Sequence, residues 1–286
     1  MTLTRRNLGS LLATLILASS ILSGPIHAAE PKLLRFASYA TERPSEELRK
    51  MEPFQKAVEK GLSERGIALR VDVRIYPTYD EGIQALVNGE VDFARLGPVS
   101  YVTAKQRNTR LSLLAVEEHE GDKTFSGLIV VPKNSSIHHL SDLRGKKIAF
   151  GDPISTTGRY LPQAELVKAG LTAKDLASYD YLGRHDKVVF AVASGTHDAG
   201  ATNERTFAKY AVERNLRELV RFPSPTQAWV ARSDLDASTV KALRATLLAM
   251  KGAALDYIDR NGFLPATDSD YDELRKVIKM ARAFGG

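Results

Sequence analysis

Apolar positions along this chain switch repeatedly between a period of two and a period near 3.6, so strands and helices alternate. Leu33-Leu34-Arg35-Phe36-Ala37 reads as a first strand. Ser45 opens a brief helix, and Pro53 suits the first turn of a second, in which Phe54, Val58 and Leu62 recur at helical spacing until Gly66. Across residues 69–76, Val71, Val73 and Ile75 alternate with Arg70, Asp72 and Arg74, the pattern of a half-buried strand. Ile83, Leu86 and Val87 mark a helix closed by Gly89, and Val91-Asp92-Phe93-Ala94 a strand. The alternation resumes further on, with strands at 147–151, 179–182 and 198–201 and helices at 158–169 and 188–193. Between the two series lies a strand-like run, 125–131, and after them Ala228-Trp229-Val230-Ala231 reads as a strand returning the chain. Two final helices are striped by Val240, Leu243, Leu247 and Leu248 and by Leu274, Val277 and Ile278. This order predicts an α/β fold with parallel or mixed sheets and helices on their faces.

A weak internal repeat points to two similar lobes. Ala85-Leu86-Val87-Asn88-Gly89-Glu90-Val91-Asp92 resembles Ala191-Val192-Ala193-Ser194-Gly195-Thr196-His197-Asp198: a helix end, a glycine cap, and a strand start carrying aspartate. The chain leaves the first lobe near Val130 and returns near Trp229, which predicts a hinge of two strands. The expected division is 30–130 plus 230–286 for the first lobe and 131–229 for the second. Helix N-termini directed into a cleft between such lobes favour anions.

The N-terminus assigns a compartment. Arg5 and Arg6 precede an apolar run, 8–22, and small residues then lead to Ala28 and Ala29, the order of a cleavable secretory signal over 1–29. The expected location is therefore the periplasm. The chain has no cysteine, which rules out disulfides, thiolate metal sites and cysteine nucleophiles. Its net charge is +6, and removing a leader with two arginines and no acid leaves +4. That excess is spread along the chain; it favours small anions and lacks the basic stripe that nucleic acid requires.

The sharpest candidate site is Gly151-Asp152-Pro153-Ile154-Ser155-Thr156-Thr157-Gly158, between a predicted strand and helix. Ser155, Thr156 and Thr157 place three hydroxyls beside the unsatisfied N–H groups of a helix start, more than one cap requires. Leu96-Gly97-Pro98-Val99-Ser100-Tyr101 is a second candidate: Gly97 permits close backbone approach, and the N–H groups of Val99, Ser100 and Tyr101 are expected to face the cleft. Tyr39 and Tyr79 sit at strand-to-helix transitions, where a phenol donates to a bound oxygen or simply packs. His185 and Asp186 begin a helix, Asp186 doubling as an N-cap candidate, with Arg184 before them as an anion partner. Asp198 is a candidate for a ligand amine, although its repeat counterpart Asp92 argues for a structural role in both.

Together these stretches, with Asp142-Leu143-Arg144-Gly145-Lys146-Lys147-Ile148-Ala149-Phe150 leading into the hydroxyl triplet and Asp198-Ala199-Gly200-Ala201 after it, resemble the periplasmic phosphate/phosphite/phosphonate-binding family of ABC importers. The resemblance implies a type II periplasmic-binding fold: two α/β lobes, a two-strand hinge and a ligand cleft. It further implies that Ser155, Thr156 and Thr157 hold the phosphonate oxygens, assisted by Tyr79 and Tyr101, while His185, Asp186 and Asp198 face the organic end. Two positions depart from the family pattern. Thr157 replaces a serine, which keeps three hydroxyls, and Asp186 stands where aminophosphonate binders carry glutamate, which weakens the case for an aminoalkyl ligand.

The expected function is capture of a phosphonate, phosphate or phosphite by a monomer that delivers it to an inner-membrane ABC permease, with no cofactor, metal or nucleic acid. An enzyme is disfavoured: the sequence shows no nucleophile with an evident base, no glycine-rich nucleotide loop, and histidines without ligand spacing. A sensory partner of a membrane histidine kinase, or a binder of another small anion, fits the same pattern of residues.

Overall fold

A computed structural model describes residues 32–39 and 44–285; the leader, 1–29, lies outside them. The elements are β1 (Lys32–Tyr39), α1 (Pro44–Ser63), β2 (Leu69–Tyr76), α2 (Tyr79–Val87), β3 (Phe93–Leu96), α3 (Pro98–Arg107), β4 (Ser112–Glu118), β5 (Thr124–Pro132) and β6 (Lys147–Phe150). There follow α4 (Leu161–Lys168), β7 (Ser178–Tyr181), α5 (His185–Ala193), β8 (Ala199–Asn203), α6 (Glu204–Tyr210), β9 (Leu216–Pro225), β10 (Ala228–Ala231), α7 (Ala237–Ala249), β11 (Gly262–Leu264) and α8 (Asp272–Ala281).

The strands form two mixed sheets, ordered β11-β4-β10-β3-β1-β2 and β7-β6-β8-β5-β9. In each, a first strand pairs in parallel with two neighbours (β1 with β2 and β3, β6 with β7 and β8), and an antiparallel strand follows, β10 beside β3 and β5 beside β8. The two antiparallel strands are the ones the chain enters after crossing from the other sheet. Membership changes between β4 and β5 and again between β9 and β10. All of β5 thus lies in the second sheet, and the changes of sheet fall within 119–123 and 226–227. The two crossing segments are bonded to each other, Thr226 N–H donating to the Lys123 carbonyl at 2.8 Å.

The internal repeat is reproduced bond for bond. Gly89 (φ 76°) and Gly195 (φ 75°) end α2 and α5 in the left-handed region that only glycine enters cheaply. Asp92 then accepts from the Arg35 backbone N–H at 2.7 Å and donates its own N–H to the Arg35 carbonyl. Asp198 does the same with Lys147, at 2.8 and 2.9 Å. Each aspartate therefore pins the start of its parallel strand to the sheet's first strand.

One apolar cluster lies beneath α1 and α7, where Phe36, Phe54, Phe93 and Trp229 pack together and Phe36 stacks on Trp229 at 5.2 Å. Burying each such ring contributes about 1.5–3 kcal/mol. That burial explains why α1 runs unbroken through Pro53, contrary to the two helices expected: Met51, Phe54, Val58 and Leu62 make one continuous buried stripe, which outweighs the lost hydrogen bond. Leu248, expected in the stripe of α7, is instead 37% exposed. A second cluster runs through both sheets by way of α8 and the residues after it, where Phe284 packs edge-on against Phe150 and Tyr179 of the second sheet.

Burial alone would raise the Asp92 carboxyl, but bonds from Arg35 and Arg232 outweigh it and hold the group below the usual carboxylate range. A depressed folded-state value adds stability that is present above the unfolded carboxylate range, near pH 3.9, and is lost as pH falls through the folded value. Unfolding free energy measured from pH 6 to pH 2 should therefore fall less steeply in Asp92→Asn than in the parent. Equal slopes would show that the aspartate contributes nothing to acid sensitivity.

Candidate functional site

A cavity opens between the sheets. Its volume is about 60 Å3. Five helix starts reach it: Tyr79 of α2, Pro98 of α3, the Ser155–Thr157 segment ahead of α4, His185 of α5, and Arg205 and Thr206 of α6. Each brings the positive end of its peptide dipoles toward the cavity.

The hydroxyl segment is held by close backbone contact. Ser155 caps a π-helical turn, Thr156–Tyr160, by accepting from Gly158 N–H at 3.0 Å. Gly151 N–H donates to the Gly158 carbonyl at 2.8 Å. A Cβ on Gly158 would lie 2.9 Å from Gly151 Cα, so glycine is required for the loop to close on its strand.

Three hydroxyl oxygens around the cavity accept from backbone N–H groups: Ser155 from Gly158, Thr156 from Val99 at 2.9 Å, and Tyr39 from Gly97. A hydroxyl that accepts in this way still has its own proton to donate, so the wall is rich in donors. Burial outweighs the donors at Ser100 and Gly97 and pushes the Tyr39 phenol up to about 12, which keeps that proton in place at neutral pH. Tyr39 also stacks on Tyr79 with ring centroids 3.7 Å apart. A Cβ at Gly97 would come within 2.8 Å of the Tyr39 hydroxyl, so this glycine keeps the approach open.

The structure brings Tyr39, Tyr79, Ser155, Thr156, Thr157 and His185 together on the cavity wall. The other four expected residues do not line it. Ser100 lies behind, its hydroxyl 3.3 Å from that of Tyr39. The Tyr101 hydroxyl donates to Asp268 at 2.7 Å and its N–H is used inside α3 by the Gly97 carbonyl, so of the N–H groups expected to face the cleft only Val99 is seen bonded across it. Asp186 is buried against Arg184, at 3.0 and 3.1 Å, and Asp198 serves the strand clamp. Among the described residues, no group of three or more histidine, aspartate or glutamate side chains is placed to hold a metal ion.

Sequence reasoning missed three arginines in the lining, Arg95, Arg205 and Arg260. Arg95 forks onto Glu117, with bonds of 2.6 and 3.1 Å. Glu117 is fully buried, also accepts from Trp229 Nε1 at 3.1 Å, and lies 3.6 Å from Arg260 Nε. Burial opposes the charge on Arg95, but the attraction of Glu117 outweighs it and holds the guanidinium protonated. Arg260 is pulled down by burial, with Glu117 opposing. Among the described residues no acidic side chain lines the cavity, while three arginines do.

Two mixed sheets linked by paired crossovers around such a cavity define a class: this is the type II periplasmic-binding fold. PhnD1 from Prochlorococcus marinus (MIT 9301), solved in complex with methylphosphonate, matches with a TM-score of 0.78 and 24% identity over 88% of this chain and 99% of that one. Residues 36–271 match the family described as ABC transporter, phosphonate, periplasmic substrate-binding protein, and the chain belongs to that family of binding proteins rather than to the enzymes. Its relatives include the probable ABC transporter phosphite binding protein PhnD1 of the same organism, 24% identical over 95% of this chain and 97% of the relative. The phosphate-import protein PhnD of Mycolicibacterium smegmatis is also 24% identical, over 87% and 86% of the two chains.

Replacing Glu117 with Gln leaves two buried guanidinium groups facing one neutral amide. The expected loss is about 3–5 kcal/mol, or roughly 6–20 °C in Tm at this chain length. Calorimetric unfolding of Glu117→Gln checks this, and a change below about 1 kcal/mol would mean that the cluster is not coupled as its geometry indicates.

Proposed function

We propose that the chain binds a phosphonate, or the related phosphate or phosphite, in the cavity between the sheets and delivers it to an inner-membrane ABC permease. In this reading the leader over 1–29 directs export to the periplasm and is cleaved, and the mature chain acts as a monomer. Its two lobes meet at the crossovers near 119–123 and 226–227.

The observation that carries the reading is the donor-rich wall. Ser155, Thr156 and Tyr39 have oxygens engaged by backbone N–H groups, and their protons remain to be given to a ligand in a cavity whose described lining holds no acidic residue. A tetrahedral oxyanion offers several acceptors within a small volume, and charge-assisted bonds from such donors are the strong kind. The neighbouring helix starts add to the attraction. Family membership supports phosphorus as the central atom.

Thermal unfolding of ligand-free protein against phosphate, phosphite, methylphosphonate, sulfate and acetate tests the class. A ligand at about a thousand times its Kd adds roughly 4 kcal/mol, or about 8–16 °C here. We expect that rise for at least one phosphorus oxyanion and a much smaller one for sulfate and acetate; a flat response to every phosphorus compound would discard the reading. The double variant Thr156→Val with Thr157→Val should bind about a hundredfold more weakly or worse, since each lost bond to a charged group is worth about 1.5–3 kcal/mol. Unchanged affinity with a parent-like ligand-free Tm would move the binding wall elsewhere.

A further inference from the structure

The phenol of Tyr39 is fixed in all but one respect. Its ring is buried and stacks on Tyr79, with centroids 3.7 Å apart. One lone pair of its oxygen accepts from the N–H of Gly97, the N-cap of α3. What remains free is rotation about the C–O bond, which decides where the proton and the second lone pair point. Ser100, in the first turn of α3, is fully buried and sets its hydroxyl 3.3 Å from that of Tyr39. Either hydroxyl can be the donor in that pair.

The two directions have different consequences for the cavity. When Ser100 donates, both lone pairs of the phenol are occupied and its proton is left for the cavity. When Tyr39 donates to Ser100, the second lone pair of the phenol faces the cavity instead, and the phenol becomes an acceptor. No proton leaves either oxygen; the pair only turns. Burial pushes the Tyr39 phenol up to about 12, so it keeps its proton in both arrangements. Ser155 and Thr156 also accept from backbone N–H groups, but among the described hydrogen bonds neither has a second hydroxyl behind it to take its proton. A phosphorus oxyanion whose second ionisation lies near neutrality is present both with and without a P–OH group. That P–OH requires an acceptor, and among the described residues no acidic side chain lines the cavity to supply one.

We infer that Ser100 is a positioning residue: by turning the Tyr39 hydroxyl it lets one phenol donate to an unprotonated phosphorus oxygen and accept from a protonated one. An unprotonated oxygen selects the first arrangement, a charge-assisted bond reinforced by the Ser100 hydroxyl behind it. A P–OH selects the second. With alanine at position 100 the second arrangement is lost, because the phenol's proton then has the cavity as its outlet. This inference rests on the oxyanion reading above and adds the protonation forms that the site takes.

Titration calorimetry with methylphosphonate, one pH unit below and one above its second ionisation, reads the difference. Tyr79 on α2, Arg95 on β3 and Asp152 ahead of α4 face the phenol, and His185 shares the cavity wall. All four are retained in a variant at position 100, so the parent's own pH profile is the reference. Ser100→Ala should bind within about threefold of the parent at the higher pH and at least about tenfold more weakly than the parent at the lower, the mismatch of one buried hydrogen bond. Weakening by the same factor at both pH values would make Ser100 merely structural. That result, or an unchanged profile, would overturn the inference and leave the oxyanion reading intact. Tyr39→Phe keeps Ser100 and carries the test should Ser100→Ala lower the ligand-free Tm. It should weaken binding by a similar factor at both pH values, since it removes a donor from one form of the ligand and an acceptor from the other. A loss confined to the higher pH would show that the phenol only donates, and would also overturn the inference. Methylphosphonate failing to bind the parent at either pH would remove both readings.

Discussion

The buried carboxylate of Glu117 is the point on which the two halves of the molecule depend. It takes a forked pair of bonds from Arg95 on β3 and one from the indole of Trp229 on β10, and so ties three neighbouring strands of the first sheet. Its backbone does further work at the crossovers: its N–H donates to the Gln227 carbonyl at 3.1 Å, and its carbonyl accepts from the Thr226 hydroxyl at 2.6 Å. One residue thus fixes the edge of the aromatic core, the place where the chain changes sheets, and the orientation of a guanidinium on the cavity wall. Buried ion pairs are usually a poor source of stability, because desolvation consumes most of the Coulomb gain. Here the pair also holds charge on the wall of the cavity proposed to take the ligand.

The rest of the architecture follows from duplication. Each half carries a helix, a left-handed glycine and an aspartate that clamps the adjoining strand, Asp92 onto Arg35 and Asp198 onto Lys147. Fixing the parallel strands in register fixes the loops at their carboxyl ends, and the helices that follow begin at the cavity. Because the halves face each other, N–H groups of the first meet acceptors of the second: Val99 N–H donates to the Thr156 hydroxyl at 2.9 Å, and Tyr79 N–H to the Asp152 carboxylate at 3.4 Å. The structural role of Asp198 and the proposed binding role of the hydroxyl segment are therefore two ends of the same device. One sets the strand, and the other uses the helix start that the strand positions.

Much of this was legible in the chain itself because the signals are local. Glycine caps, the proline at the start of α3 and three consecutive hydroxyls before a helix each have a physical meaning that needs no tertiary context. The half-site was legible for the same reason, as Tyr39, Tyr79, Ser155, Thr156, Thr157 and His185 all sit at element boundaries. Part of what failed depended on partners distant in sequence. Arg95 is indistinguishable from a surface arginine until Glu117, on a strand two places away in the sheet, is brought beside it. Tyr101 is turned from the cavity by Asp268, far along the chain, and Asp186 by its arginine neighbour. Strands β4, β9 and β11 escaped notice because their pattern is broken: β9 carries Pro223 and Pro225, and β11 is three residues long. The unbroken α1 was missed because a proline reads as a boundary unless the buried stripe across it is known.

The distribution of charge between the halves bears on how the cleft works. Arg95 and Arg260 belong to the first sheet and its loops, whereas Arg205 begins α6 on the second. Bringing the halves together therefore sets like charges around one small cavity, at a cost that grows as water is removed. Bonds between the halves, such as Arg205 to the Tyr257 carbonyl and Lys123 to Asp270, oppose that cost without cancelling the charge. An anion in the cavity does cancel it. With the ligand bound as proposed, the groups that attract it would also make the approach of the halves more favourable than without it. Differential affinity of this kind is what a two-state binding protein requires for ligand to shift its population.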